Sequence, residues 1–209
     1  MQNAGYERRC GKMKNSVSLK NIKKSFNGLS VLDGFSAEIT ENTAFMGRSG
    51  NGKTTLARII MNLTDADSGE VTFGREPKFS AVFQEDRLFE DFSAIENVTA
   101  VCGRGMSRVD AKKQAVELLD ELLIDEKERK KAVRSYSGGM KRRVAVARAL
   151  LAESDILILD EPYKGLDEET REQTASVIRK YAMGKLVILI THDIHEAELL
   201  GIEHVIALE

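Results

Sequence analysis

Several residue types are scarce in this chain of 209 residues. It has no Trp, two Pro and two Cys, and its 31 Lys and Arg nearly balance its 33 Asp and Glu, for a net charge of −2. The two cysteines, Cys10 and Cys102, are too few for a disulfide framework or a zinc site, so we expect both to stay reduced. The near-zero net charge argues against a strongly basic nucleic-acid binder and against an acidic tail. We therefore expect no nucleic-acid partner.

Long hydrophobic runs are also missing. The longest aliphatic runs cover residues 156–159 and 186–190, far short of the roughly 20 apolar residues that a membrane-spanning helix requires. The N-terminus has several basic residues but no apolar stretch of a secretory signal. We expect residues 1–15 to be a flexible N-terminus, residues 16–209 to form one folded domain, and the chain to lie in the cytoplasm.

Hydropathy patterns predict helices that alternate with strands. Ser107 and Asp110 have the form of a capping box, and apolar residues follow at helical spacing as far as Leu122 and Leu123. The whole interval of about 85–152 is predicted to be largely helical. Apolar alternation and aliphatic runs predict strands, and helical spacing predicts two further helices. The strands are expected at 17–22, 35–39, 44–46, 156–159, 186–190 and 204–208, and the helices at 54–61 and 168–182. Aliphatic strands that alternate with helices are typical of a parallel sheet buried on both faces.

A glycine-rich loop lies between a predicted strand and a predicted helix and matches the phosphate-binding loop pattern. Glycines let backbone N–H groups approach phosphate oxygens, and the helix N-terminus adds its positive dipole end. Lys53 would contact the β- and γ-phosphates, and the Thr54 hydroxyl could bind Mg²⁺. The candidate nucleotide-binding residues of this loop are Gly47, Arg48, Ser49, Gly50, Asn51, Gly52, Lys53, Thr54 and Thr55.

Two carboxylates follow the aliphatic run 156–159, at the carboxyl edge where parallel sheets bind ligands. Asp160 would hold Mg²⁺ in the manner of a Walker B aspartate. Glu161, one position later, could accept a proton from the attacking water. The alternative interpretation is an acidic turn before Pro162 with no catalytic role. The phosphate-binding loop upstream argues against that alternative.

A second anion-binding helix terminus is predicted at residues 137–139. Ser137 can cap the helix that follows, and Gly138 and Gly139 leave backbone donors open to an anion. This segment is similar to the signature motif of the ATP-binding cassette family of ATPases, and the resemblance extends from about residue 17 to residue 208. The resemblance implies that the second terminus serves the nucleotide held by a partner subunit.

Three single residues match family positions. Gln84 resembles the Q-loop glutamine, which contacts Mg²⁺ and the attacking water, and His192 resembles the switch histidine that senses the γ-phosphate. Phe26 stands where the family has an aromatic residue that stacks on adenine, although a packing role is nearly as good an explanation. His192 and His195 do not make a zinc site, because a third ligand is missing. The catalytic set implied by the resemblance is Lys53, Gln84, Glu161 and His192.

The fold implied by the resemblance is an α/β P-loop NTPase core with a mostly parallel sheet, an N-terminal antiparallel β portion and an inserted α-helical subdomain at about 85–152. The chain departs from the family pattern at Tyr136 and Met140, beside the signature, and at Lys164. Lys164 comes just before residues 165–167, which resemble the family's D-loop at the dimer interface. These departures leave the chemistry in place and affect only the fine geometry of the subunit contact.

The function implied is that of the ATP-hydrolysing subunit of a transporter. It would bind ATP and Mg²⁺, pair with a second copy of itself and dock on a separate transmembrane permease at the inner face of the cell membrane. Residues 83–89 and 95–98 look most like importers of the nitrate, sulfonate and taurine type. The alternative is a non-transport family member that drives assembly of a protein or metal-cluster complex. A DNA-structural ATPase is disfavoured because no long coiled coil separates the two Walker motifs, and a small-molecule kinase would leave Ser137 and His192 unexplained.

Overall fold

The computed structural model describes residues 15–48, 50–103 and 105–208. The expectation for residues 1–14 and the candidate Ser49 lie outside the described residues. The strands are β1 (Val17–Phe26), β2 (Leu29–Ile39), β3 (Thr43–Met46), β4 (Ser68–Phe73), β5 (Phe79–Val82), β6 (Ile156–Asp160), β7 (Leu186–Thr191) and β8 (His204–Ala207). The α-helices are α1 (Lys53–Ile60), α2 (Ala94–Thr99), α3 (Arg108–Glu121), α4 (Gly138–Leu151), α5 (Glu168–Tyr181) and α6 (Ile194–Leu200), and a 3-10 turn covers Val133–Ser135.

Two sheets form the framework. Strands β2, β1 and β4 make an antiparallel sheet in that order, and β1 turns into β2 through Asn27 and Gly28, both with positive φ. The second sheet has the order β5-β6-β7-β3-β8, and every pairing within it is parallel. The predicted fold class, a mainly parallel α/β core with an N-terminal antiparallel portion and a helical insertion, is confirmed.

The parallel sheet separates two hydrophobic cores. On one face, Ile156 and Ile158 pack with α1 and with the antiparallel sheet. On the other face, Leu157 and Leu159 pack with helices α2 to α6. Successive side chains on a strand point to opposite faces, so a strand covered on both sides has to be apolar at every position. This is why the chain has unbroken aliphatic runs at β6 and β7.

Helices α2, α3 and α4 follow one another between β5 and β6, in the interval for which a helical subdomain is predicted. Ala94, Val98 and Leu118 of these helices share a buried cluster with the sheet residues Val82 and Leu157. The helical segment is therefore joined to the sheet by continuous apolar packing. Among the described residues, no helix is both long and apolar enough to span a bilayer.

Helix α3 begins as predicted and ends earlier than its spacing suggests. The Ser107 hydroxyl accepts a hydrogen bond from the Asp110 amide, which confirms the N-cap. At the other end, Leu123 adopts a left-handed φ of 57°. The Leu123 amide donates to the Asp120 carbonyl and the Ile124 amide to the Leu119 carbonyl, which is a Schellman closure. The Leu123 side chain is consequently exposed, although its spacing places it on the helix face.

Candidate active site

Strand order brings four predicted site segments to one edge of the parallel sheet. The glycine-rich loop follows β3, His192 follows β7, Glu161 follows β6 and Gln84 lies just beyond β5. These four strands are consecutive neighbours and run parallel, so their carboxyl ends lie side by side. Segments that are up to 145 residues apart in the chain therefore meet at one place.

The glycine-rich loop packs against backbone atoms of residues that are far away in the sequence. An ideal Cβ on Gly47 would lie 2.4 Å from the Leu208 carbonyl oxygen, and the same oxygen accepts a hydrogen bond from Asn51 Nδ2 at 3.1 Å. Gly52 has a φ of 77°, and a Cβ there would lie 2.8 Å from atoms of Val31. Both positions therefore exclude larger residues through close approach, and Gly52 also through its left-handed backbone. Gly50 has positive φ as well.

Lys53 points back into the loop. Its ammonium group donates to the Gly47 carbonyl at 2.6 Å and to the Arg48 carbonyl at 2.7 Å, and the residue is 7% exposed. The loop thus curls around a cation, and a bound anion would have to compete with these two carbonyls. Thr55 is half-buried on α1 and Arg48 is exposed.

Thr54 and Asp160 are in direct contact. The Thr54 hydroxyl donates to Asp160 Oδ2 at 2.7 Å, and Asp160 is 3% exposed. Burial raises the pKa of Asp160, while the Thr54 hydrogen bond opposes that rise and the neighbouring Glu161 adds to it. A hydroxyl and a carboxylate held together in this way are hard oxygen ligands, the type that Mg²⁺ prefers.

Glu161 and His192 face each other across the ends of β6 and β7. Glu161 Oε1 lies 3.6 Å from His192 Nδ1, which is too long for a hydrogen bond. The Glu161 backbone has a left-handed φ of 49°, and its amide donates to the Ile190 carbonyl. Strained positions of this kind cluster at functional sites, because the surrounding structure has to hold them. The His192 side chain is 68% exposed and is therefore open to a ligand.

Gln84 is exposed, and arginines of α4 hold the backbone around it. The Arg142 guanidinium donates to the carbonyls of Phe83 and Gln84, at 2.5 and 2.6 Å, and lies 3.2 Å from Asp86 Oδ1. Arg148 donates to the Asp86 and Arg87 carbonyls. Arg142 is 3% exposed. The segment that carries Gln84 is therefore fastened to the helix whose N-terminus is the signature motif.

We expect Arg142→Met to lower the free energy of unfolding by about 3 kcal/mol, because it leaves two carbonyls and the Asp86 carboxylate without their buried partner. Urea denaturation followed by circular dichroism measures this change. Arg134→Met is the matched control, since Arg134 pairs with Asp91 at 67% side-chain exposure and such pairs contribute less than about 1 kcal/mol. Equal losses of unfolding free energy in the two variants would contradict the role of Arg142 in holding the segment that carries Gln84.

The signature residues lie at the N-terminus of α4. The Ser137 hydroxyl accepts from the Met140 amide, which confirms the predicted cap. Ser137 and Gly138 are exposed, and a Cβ on Gly138 would meet nothing within 4 Å. Gly139 is different, because a Cβ there would lie 2.9 Å from the Gly165 carbonyl oxygen. In the described part of the chain, which omits Ser49, no hydrogen bond joins residues 47–54 to residues 137–140.

Phe26 is the last residue of β1, beside the turn of the β1–β2 hairpin. Its ring is exposed to 46%, and Lys24 Nζ lies 5.4 Å from the ring centroid. The contacts of the described residues do not pack this ring into a core. His195 likewise is not near a metal cluster: its Nδ1 lies 2.9 Å from Glu198 Oε2, and the described residues contain no group of three or more His, Cys, Asp or Glu that could hold a metal ion.

Four residues of this region are not predicted from the sequence: Arg142, Arg148, Thr191 and Glu196. Each is a polar side chain that the fold largely removes from water, and such burial depends on tertiary packing. For Arg142 and Arg148 the sequence shows only a basic stretch in an amphipathic helix. For Thr191 and Glu196 the only signal is their place on either side of His192.

Comparison with known proteins gives three consistent matches. The family model described as ABC transporter matches residues 33–164. The chain is 38% identical over 192 residues to the aliphatic sulfonates import ATP-binding protein SsuB 1 of Rhizobium johnstonii, covering 87% of this chain and 70% of that protein. It is 42% identical over 171 residues to the taurine import ATP-binding protein TauB of Roseobacter denitrificans, covering 77% of this chain and 63% of that protein.

Among solved structures, the chain is similar to the dimeric ATP-binding cassette MJ0796 in a post-hydrolysis state bound to ADP and Pi. The TM-score is 0.82 with 31% sequence identity, and the match covers 92% of this chain and 94% of the other. The resemblance noted from the motifs therefore holds across sequence and structure.

Proposed function

The chain belongs to the ABC transporter family of ATPases, and from that premise we propose that it is the ATP-binding and ATP-hydrolysing subunit of an import system. The relatives named above are import ATP-binding proteins for sulfonates and taurine. The observation that carries the proposal is the meeting of three strand ends. There Thr54 lies 2.7 Å from Asp160, and Glu161 lies 3.6 Å from His192.

The protein's own residues divide the work as follows. Lys53, whose ammonium is already directed into the loop, exchanges its two carbonyl partners for phosphate oxygens of ATP. Glu161 accepts the proton of the attacking water, and His192 lies close enough to orient that carboxylate or to contact the terminal phosphate. Gln84 is proposed to contact the same water and the metal. Phe26, exposed on the hairpin tip, is proposed to stack on adenine.

Mg²⁺ fits the oxygen pair formed by Thr54 and Asp160, with Gln84 as the third proposed ligand. When bound, the ion neutralises charge on the phosphate oxygens. Asp160 is nearly fully buried, and an uncompensated carboxylate there is costly. A cation beside it removes that cost, which supports the assignment.

We also propose that two copies close on two ATP molecules, each held between the loop 47–54 of one copy and residues 137–139 of the other. Ser137 and Gly138 are exposed, and a Cβ on Gly138 would meet nothing, so this helix terminus is open to a second molecule. The similar MJ0796 cassette is a dimer. Because one triphosphate does not need two anion-binding helix termini from the same chain, an arrangement across two subunits accounts for both.

Mixing two inactive variants tests this composite site. Lys53→Ala disables the loop, and Gly138→Asp places a carboxylate against the phosphates without a clash inside its own subunit. Each variant alone should be inactive, whereas a heterodimer purified through two different affinity tags retains one intact site and should hydrolyse ATP. Gly103→Asp is the matched control, because Gly103 is also exposed with free space at Cβ, and this variant should be active alone. An inactive heterodimer would refute the composite site.

The permease is proposed to dock on the helical segment beside Gln84, at the cytoplasmic face of the cell membrane. On this helical segment a surface groove of about 680 Å³ lies between α2 and the start of α3, and its lining includes Ile95, Met106 and Arg108. Phe89 and Phe92, close to Gln84 in the chain, are 54% and 49% exposed and contact each other. Exposed apolar groups next to the Q-loop segment suit a protein partner.

A further inference from the structure

The loop that carries His192 is hydrogen-bonded to a buried carboxylate. Glu196, on the first turn of α6, is 6% exposed, and Thr191, the last residue of β7, is fully buried. The Thr191 hydroxyl lies 2.6 Å from Glu196 Oε2, and the Asp193 amide donates to the same hydroxyl oxygen at 3.0 Å. His192 stands between the two residues that this hydroxyl connects.

The contact distances select one arrangement. The Thr191 hydroxyl has a single proton and two acceptors within reach, Glu196 Oε2 at 2.6 Å and the Asp193 carbonyl oxygen at 3.4 Å, so it donates to the nearer Glu196 and accepts from the Asp193 amide. The separation of 2.6 Å is in the range of a charge-assisted O–H···O⁻ hydrogen bond. A directed chain therefore runs from the Asp193 amide through Thr191 to Glu196. It fixes the backbone immediately before and after His192.

The charges around Glu196 are consistent with this chain. Burial raises the pKa of Glu196 and the Asp193 charge adds to that rise, while the Thr191 hydrogen bond, Arg171 and His192 oppose it. Arg171 also lies 3.5 Å from Asp193 Oδ2. Among the described residues, no hydrogen bond or ion pair joins Glu196 to the strand-end cluster of Lys53, Asp160 and Glu161. A buried charge is expensive to keep, so a role in shaping the loop explains its presence better than packing does.

We propose that Glu196 is a positioning residue for ATP hydrolysis: through Thr191 it sets the backbone on which the His192 imidazole is presented to Glu161. The inference rests on the proposed roles of His192 and Glu161. The imidazole lies 3.6 Å from Glu161 and is mostly exposed, and among the described residues it makes no side-chain hydrogen bond, so its position depends on the backbone that carries it. A displacement of about 1 Å in such a group is enough to slow catalysis strongly.

Four variants test the proposal by separating turnover from binding. Glu196→Leu and Thr191→Val each break the chain, and each should lower the rate of ATP hydrolysis about tenfold while ATP affinity stays within about twofold. Glu196→Gln keeps an acceptor oxygen for Thr191 and should retain most of the rate. The double variant Thr191→Val with Glu196→Leu should be no slower than Thr191→Val alone, because the valine already removes the bond to Glu196.

Tyr163→Phe is the matched control. Tyr163 is buried near Glu196, whose charge contributes to raising the pKa of Tyr163. The Tyr163 hydroxyl makes no hydrogen bond among the described residues. This variant should hydrolyse ATP at the normal rate. Thermal unfolding and binding of a fluorescent ATP analogue are measured on every variant.

Three rate measurements would overturn the proposal. They are a normal rate in Glu196→Leu and Thr191→Val, rate losses that multiply in the double variant, and a Glu196→Gln variant as slow as Glu196→Leu. A loss of ATP binding or of folding equal to the loss of rate would also overturn it in favour of a purely structural role. His192→Ala separates the two levels: a normal rate in that variant refutes the role assigned to His192 under the proposed function, whatever Glu196 does.

Discussion

Replacing Glu161 by Gln is expected to slow ATP hydrolysis by about 10²- to 10⁴-fold, the usual contribution of a general base. The glutamine amide has the size of the carboxyl group but cannot take up the proton of the attacking water. ATP should bind as before, because Lys53 and Thr54 are unchanged. With hydrolysis blocked, the ATP-bound dimer should persist and elute at twice the monomer mass in size-exclusion chromatography.

The structure indicates that this substitution changes the chemistry of the side chain without disturbing the fold. Glu161 keeps its left-handed φ through backbone hydrogen bonds to Ile190 and Lys164, and glutamine leaves those bonds intact. Folding should therefore be the same in both proteins. Glu153→Gln is the matched control, since Glu153 is 81% exposed and lies on the protein surface. A Glu161→Gln protein that turned over ATP within about twofold of the unaltered chain would remove Glu161 from the role of base.

Replacing Lys53 by Ala is expected to weaken ATP binding about 100-fold. The estimate follows from the loss of one or two charge-assisted hydrogen bonds, each contributing about 1.5–3 kcal/mol. In the described structure the ammonium also links the Gly47 and Arg48 carbonyls, so the variant loses an internal brace of the loop as well. Isothermal titration with ATP and Mg²⁺ measures the loss of affinity.

Two further measurements separate the phosphate contact from the brace. Urea denaturation without nucleotide reports the brace alone, because ATP is absent. Lys78→Ala controls for the loss of a positive charge, since Lys78 is 62% exposed and pairs with a surface glutamate. If Lys53→Ala bound ATP within about threefold of the unaltered chain, the loop 47–54 would not be the phosphate site.

The segments of the site could be predicted because they lie in order along the chain. Lys53, Asp160 and His192 each follow a strand recognisable by its apolar pattern, and parallel strands place their carboxyl ends at one edge. The pairing that brings β6, β7 and β3 together is tertiary. The sequence patterns could predict that these ends share an edge, but not that Thr54 contacts Asp160 while Gln84 stays exposed.

What could not be predicted depends on the burial of polar side chains. Arg142 looks like any basic residue of an amphipathic helix, yet its guanidinium is enclosed by the segment after β5. Glu196 looks like a solvated residue of a short helix until Thr191 is placed against it. The end of α3 has a different origin: Leu123 has a helical spacing but a left-handed backbone, and the helix is closed there by the hydrogen bond from the Ile124 amide to the Leu119 carbonyl.

The contact of Leu208 with the glycine-rich loop affects the order of events during synthesis. The Leu208 carbonyl oxygen lies against Gly47 and accepts a hydrogen bond from Asn51, and the Leu208 amide donates to the Met46 carbonyl. Asn51 and Leu208 are 157 positions apart. Until residues up to 208 have been synthesised, Gly47 and Asn51 lack the carbonyl that they contact in the folded protein. We therefore expect the glycine-rich loop to reach its final geometry only late in synthesis, after the last strand of the sheet has formed.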